Sequence, residues 1–179
     1  MADTGFTGPR SSFVERMIGA ATLNVAVYEE VEADSSATGQ AAGVVALAAI
    51  ASAIGSWGND NALGGLIGAL LGWAIWAAVT YFIGVTLFKG TATWGELLRT
   101  LGFAQAPGLL SIVGLIPILG GFARLIIFIW ILIAAIIAIR QALDISTGKA
   151  VAVAILGWLA LMIVMAFFAG AGWLASLAF

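Results

Sequence analysis

Between Trp94 and Leu156 the chain runs amphipathic, turns, runs apolar, turns again, runs apolar and breaks into a short charged loop. The amphipathic part is Trp94-Gly-Glu-Leu-Leu-Arg-Thr-Leu-Gly-Phe-Ala-Gln, and Ala106-Pro107-Gly108 turns it into an uncharged apolar segment. Pro117 and Gly120-Gly121 punctuate that segment, which restarts at Phe122, continues to Ile139 and stops at Arg140. Two apolar runs joined by a tight turn, with charge gathered beyond their ends, describe a transmembrane helical hairpin. Only helices and closed barrels satisfy their own backbone polar groups in hydrocarbon. A soluble domain could not hide so much apolar surface. Of 179 residues, 63% are hydrophobic and 9% charged, against roughly 45–50% and about 25% in soluble domains.

Five hydrophobic segments are expected: Gln40 to Trp57, Ala62 to Phe88, Ala106 to Leu119, Phe122 to Ile139, and Ala150 to Phe168. A span of roughly 30 Å needs about 20 helical residues. The third segment is therefore short and must draw turns from Leu101–Ala104, or else form a re-entrant loop over Ala106–Leu119. Gly58-Asn59-Asp60-Asn61 reads as a tight polar turn. The predicted fold class is an all-α integral membrane protein. Residues 1–40 form a cytosolic leader with an amphipathic helix, and residues 41–179 form five transmembrane helices.

The basic residues orient this arrangement. With five crossings, Arg10, Arg16, Lys89, Arg99, Arg140 and Lys149 share one side and Arg124 stands alone on the other. A re-entrant third segment gives a five-to-two split instead. The positive-inside tendency places the N-terminus in the cytoplasm and the C-terminus outside, with a prokaryotic cytoplasmic membrane as the expected location.

In the leader, Met1–Pro9 lacks the basic start and apolar core of a cleavable signal peptide. Ser12 and Glu15 have the spacing of a capping box. Phe13, Met17, Ala20, Asn24, Val27, Tyr28 and Val31 then recur at helical spacing, opposite Glu15, Arg16, Thr22, Glu29 and Glu30. This predicts one helix lying along the membrane or against the bundle. The acidic run of Glu29, Glu30, Glu32 and Asp34 reads as a solvated helix end, since its spacing matches no calcium loop.

Within lipid, helices associate through close backbone approach. Gly64, Gly68 and Gly72 fall four apart on one face, a predicted helix-packing groove, with packing inside the chain preferred over packing against another copy. Trp57, Trp94 and Trp173 sit near segment ends, as interfacial indoles do; Trp73, Trp76, Trp130 and Trp158 read as packing residues. No segment carries a central charged residue, which ion-coupled transport generally requires. The available polar groups are Ser52, Thr80, Tyr81, Thr86 and Ser111, of which the Ser and Thr hydroxyls are expected to bond back to the preceding turn. Absence of Cys and His removes thiol and imidazole chemistry and the commonest metal ligands. Nucleic-acid binding is excluded by a net charge of −2. No catalytic, cofactor or metal site is expected, and Arg124 is a candidate contact for a lipid head group or a snorkelling side chain.

Three stretches together resemble the Yip1 domain family. Leu98-Arg99-Thr-Leu-Gly102-Phe-Ala104-Gln-Ala-Pro107 resembles its loop into the third helix, and Ala138-Ile-Arg140-Gln-Ala-Leu-Asp-Ile-Ser-Thr147-Gly148-Lys149-Ala150 its loop between fourth and fifth helices. Arg16 to Asn24, Tyr28 to Asp34 and Thr38 to Ala41 are similar to the short leader of prokaryotic members. The resemblance implies a five-helix membrane protein with a cytosolic N-terminus. Eukaryotic relatives bind Rab-type GTPases and one another. The leader here is short and lacks the Asp-Leu-Tyr-Gly-Pro motif, which argues against GTPase binding.

These readings lead to a non-enzymatic scaffold that joins other membrane proteins, or itself, or shapes the bilayer. A small-solute transporter or channel is the first alternative, and an accessory subunit of a larger complex the second. Lipid turnover dependent on Glu96 or Asp144 would contradict the non-enzymatic reading.

Overall fold

The computed structural model describes residues 11–56, 62–116 and 119–176, and all regular structure among them is helical. Trp57, the Gly58–Asn61 turn, Pro117, Arg10 and Met1–Pro9 lie outside the described residues, as does the side chain of Trp173.

The leader forms two helices rather than one: α1 (Phe13–Ala21) and α2 (Val25–Ala33). Ser12 starts α1 with the expected capping box, its hydroxyl accepting from Glu15 N and Glu15 accepting from Ser12 N. The break comes at Leu23, which adopts a left-handed φ of 63°. Leu23 N donates to Ala20 O and Asn24 N to Gly19 O, closing α1 with a Schellman motif. Asn24 then caps α2 through Ala26 N. No Gly marks the stop, so periodicity alone reads through it. Ala20, Val27, Tyr28 and Val31 of the predicted stripe are buried.

A short 3₁₀ turn at Ser35–Ala37 leads into α3 (Thr38–Gly55), followed by α4 (Ala62–Phe88). The third segment begins earlier than predicted. Thr93 and Glu96 form a second capping box and start α5 (Trp94–Phe103), which passes at Pro107 into a 3₁₀ run over Ala106–Leu115. At about 2.0 Å per residue, 3₁₀ geometry gains more length than an α-helix. Trp94–Leu115 is thus long and apolar enough to span, and it is the most buried of such stretches. Helices α6 (Leu119–Leu143) and α7 (Thr147–Ser176) complete the chain. Among the described residues, four stretches are long and apolar enough to cross a membrane: Ser35–Gly55, Leu63–Phe88, Trp94–Leu115 and Gly120–Leu143.

Close contacts fix how the spans run. Gly102 lies against Ala41, Gly108 against Ala48, and Gly55 against Ser111 and Gly114. Both numbers climb together, so α3 and the α5–3₁₀ unit are parallel. A Cβ on Gly102 would stand 2.7 Å from Ala41 Cβ, so the seam admits no side chain there. Gly120 meets Gly114 at one end of the bundle. At the other, Thr91 N donates to Leu143 O and Gly90 packs on Leu143. Lys89, Arg140 and Lys149 gather at that second end, called here the basic end. The core holds Phe103, Leu97 and Leu101 of α5, Ile139 and Leu143 of α6, and Val44 and Val153.

Candidate functional site

The predicted solvated acidic run is instead an anchor. Arg16, only 1% exposed, donates through Nε and Nη2 to Glu30 Oε1 at 3.0 and 2.8 Å, and through Nη2 to Asp34 Oδ2 at 2.8 Å. Its Nη1 donates to Gln40 Oε1 at 2.9 Å. Ser11 covers Glu30 from the other side, donating to it from backbone and hydroxyl. Sequence placed Arg16 and Glu30 on the polar side of one helix. Breaking that helix at Leu23 folds the two charges inward to face each other. A buried charge survives only when paired and hydrogen-bonded, and this one is paired with two carboxylates.

A second arginine completes the anchor. Arg99 Nε donates to Val31 O at 2.9 Å and to Glu32 O at 3.1 Å, and its Nη2 also bonds Glu32 O. Arg99 belongs to the family-like motif and lies near the basic end of its span. It ties α5 to the C-terminal end of α2, where helix carbonyls lack intrahelical donors. Of the motif's other residues, Gly102 forms the seam with α3, while Ala104 and Pro107 are buried. Arg140 Nε donates to Gln141 Oε1; Gly148 and Lys149 are exposed.

Beside the anchor lies a cleft of about 380 Å³ lined by Glu29, Glu32, Ala33, Glu96, Gln141 and Asp144. Gln141 Nε2 donates to Glu29 Oε1 at 2.9 Å, and Thr91 Oγ1 to Asp144 Oδ2 at 2.9 Å. Burial, together with the charges of Glu96, Asp144 and Glu29, pushes the Glu32 carboxyl up to about 7, against the pull of Arg99. The Ser36 hydroxyl holds Asp34 down at about 2, helped by Arg16 against burial. Among the described residues, no group of three or more His, Cys, Asp or Glu is placed to hold a metal ion.

The polar residues of the spans do not bond back as expected. Ser52 and Ser111 open, with Gln105, into a cavity of about 350 Å³ between α3, α4 and the 3₁₀ run, walled by Trp73 and Trp76. Their side chains have no hydrogen-bond partner among the described residues. Thr80 is fully buried against Gly157 of α7, and its hydroxyl and the Trp76 indole N–H are both unpaired. Back-bonding occurs instead at Ser56 and Thr100. Trp73 and Trp130 do pack, donating to Leu98 O at 3.0 Å and Ala21 O at 2.7 Å. Arg124 is exposed and donates to Gly55 O at 3.1 Å.

Along the glycine face of α4 the surroundings change from one glycine to the next. A Cβ on Gly68 or Gly72 would meet nothing within 4 Å; Gly68 is exposed, while Gly72 lines the cavity that holds Ser52 and Ser111. Gly64 is exposed on the same helix. Leu63, Ile67 and Leu71 beside them are exposed too.

Long apolar helices with outward-facing Leu, Ile and Phe, closed at one end by a charged anchor, define an integral membrane protein. The family model for the Yip1 domain matches residues 17–169. The chain belongs to the Yip1 domain family. No curated protein and no solved structure matches it.

Proposed function

We propose that the protein is a non-enzymatic scaffold of a prokaryotic cytoplasmic membrane that binds other membrane proteins or a second copy of itself. The observation that carries this reading is the open, exposed position of Gly68 on α4, the least buried of the long apolar helices. Hydrocarbon gives little apolar drive for helix association, so close backbone approach must supply it. A helix from another chain could approach at Gly68, which is exposed and has nothing of this chain within 4 Å of a Cβ position. The acidic cleft at the basic end adds a charged surface for a partner's cytosolic segment. Helix α7, 30 residues long, serves as the fifth crossing in this reading. It leaves the N-terminus cytoplasmic and the C-terminus outside. Extraction in mild detergent should recover a stoichiometric partner or a self-oligomer; a strictly monomeric protein without partners would count against the scaffold.

A second reading, transport of a small neutral solute, is favoured by the cavity holding Ser52, Gln105 and Ser111. Thr80 faces α7 rather than that cavity, so a continuous path past both is not what the geometry supports. Solute flux in proteoliposomes tests this reading directly.

A further inference from the structure

Helices α1 and α2 fold back on each other, and two rulers measure how deep their tip lies. Along α6, Gln141 bonds Glu29 while Trp130 bonds Ala21 O. These α6 positions are 11 residues apart (141 − 130), roughly 16 Å of helix at about 1.5 Å per residue. Along the third span, the Phe13 ring meets Phe103 at 6.5 Å, and α1 then runs on beside the 3₁₀ segment that follows. Both rulers agree. Helix α1 climbs from the basic end toward the middle of the bundle, and its tip at Thr22–Asn24 lies roughly 16 Å from the level of Gln141, about half of the roughly 30 Å a hydrocarbon layer spans.

The last turn of α1 closes its own backbone. Carbonyls in the last turn of a helix lack intrahelical donors and commonly turn to solvent. Here the chain serves those of Ile18, Gly19, Ala20 and Ala21, while Thr22 and Asn24 at the turn stay exposed. Ile18 O accepts from Thr22 N and the Thr22 hydroxyl, and Gly19 O from Asn24 N. Ala20 O accepts from Leu23 N and the Tyr28 hydroxyl, and Ala21 O from the Trp130 indole. Hydrocarbon demands such closure, because an unpaired backbone group there costs several kcal/mol. The outer row of α1 tells the same story: Val14 and Ile18 are 54% and 59% exposed.

We infer that α1 and α2 form a re-entrant hairpin that enters one leaflet from the basic side and returns to the same side. Acyl chains cover its Val14–Ile18 row. Arg16, Glu30 and Asp34 set the depth, since three charges cannot follow the tip into lipid. The inference rests on this geometry and not on the scaffold reading, so either can fail without the other.

The chain contains no cysteine, so single introduced thiols report cleanly. Ile18→Cys and Ala26→Cys on the hairpin, Phe82→Cys on a span and Ser35→Cys in the polar turn before α3 are all at exposed positions. Each full-length variant, eluting as a single species, is spin-labelled in liposomes and relaxed with oxygen or a water-soluble nickel chelate. The hairpin labels should follow Phe82→Cys, favouring oxygen, while Ser35→Cys favours nickel. An impermeant maleimide should modify Ile18→Cys at least tenfold more slowly than Ser35→Cys until detergent is added. Nickel accessibility and labelling rates matching those of Ser35→Cys would overturn the hairpin.

Discussion

Arg16 shows how a residue's role depends on what the chain does a few positions later. Its partners at 30, 34 and 40 become neighbours only because Leu23 reverses the helix. Removing one member of a buried pair strands the other charges, at a typical cost of about 3–5 kcal/mol. Arg16→Met should therefore lower thermal stability by that order in a detergent melt, and adding Glu30→Gln should recover part of the loss. Glu32 works the other way. Its carboxyl binds a proton more tightly in the folded protein than in the unfolded chain, up to about 7 against an ordinary 4.5. Folding is thus least burdened below pH 4.5, and stability drains away as pH rises through about 7. Glu32→Gln should melt higher than the parent protein at pH 8 and match it near pH 4.5. Asp34, held at about 2, lends stability above 3.8 that fades as pH falls toward 2.

Among the elements, the parallel seam between α3 and α5 carries the most specific test. Gly102→Ala would force a methyl against Ala41, and such overpacking costs about 1–3 kcal/mol. Gly148→Ala places the same methyl in open space inside α7, where better helix propensity adds up to about 1 kcal/mol. Opposite shifts in melting temperature from one chemical change would confirm the seam. Much of the element list was readable beforehand. Ser12-Phe-Val-Glu15 announced the start of α1, and continuous apolar runs announced α3, α4 and α6. The missed features have separate causes. Leu23 stops α1 in a conformation usually given to Gly, at a typical cost of about 1–2 kcal/mol that the carbonyl network offsets. The start of α5 was legible in Thr93-Trp-Gly-Glu96, a second capping box overshadowed by the Pro107 turn. The polar cavity was not legible, because the orientation of Ser52, Gln105 and Ser111 depends on how three helices meet.

For the whole molecule, the least enclosed span is α4, with Gly68 exposed on its surface. If partners seat there, Gly68→Leu should abolish co-purification or self-association while changing the monomer's melting temperature by less than about 0.5 kcal/mol equivalent, as surface changes do. Cross-linking in native membranes reads the first outcome and a detergent melt the second. Loss of both together would mean that the face serves the fold.

The side-by-side course of α3 and α5 also dictates an order of birth. Ala41 leaves the ribosome 61 residues (102 − 41) before the Gly102 that closes on it, with an entire span made in between. During synthesis the first long helix must therefore wait in lipid, its tight-fitting edge bare, and distant pairings of this kind are slow to form. The leader waits as well, since Arg99 has yet to emerge and hold Val31 and Glu32. A nascent chain halted after Phe88 should expose both to quality-control proteases, and one extended through Leu115 should shelter them.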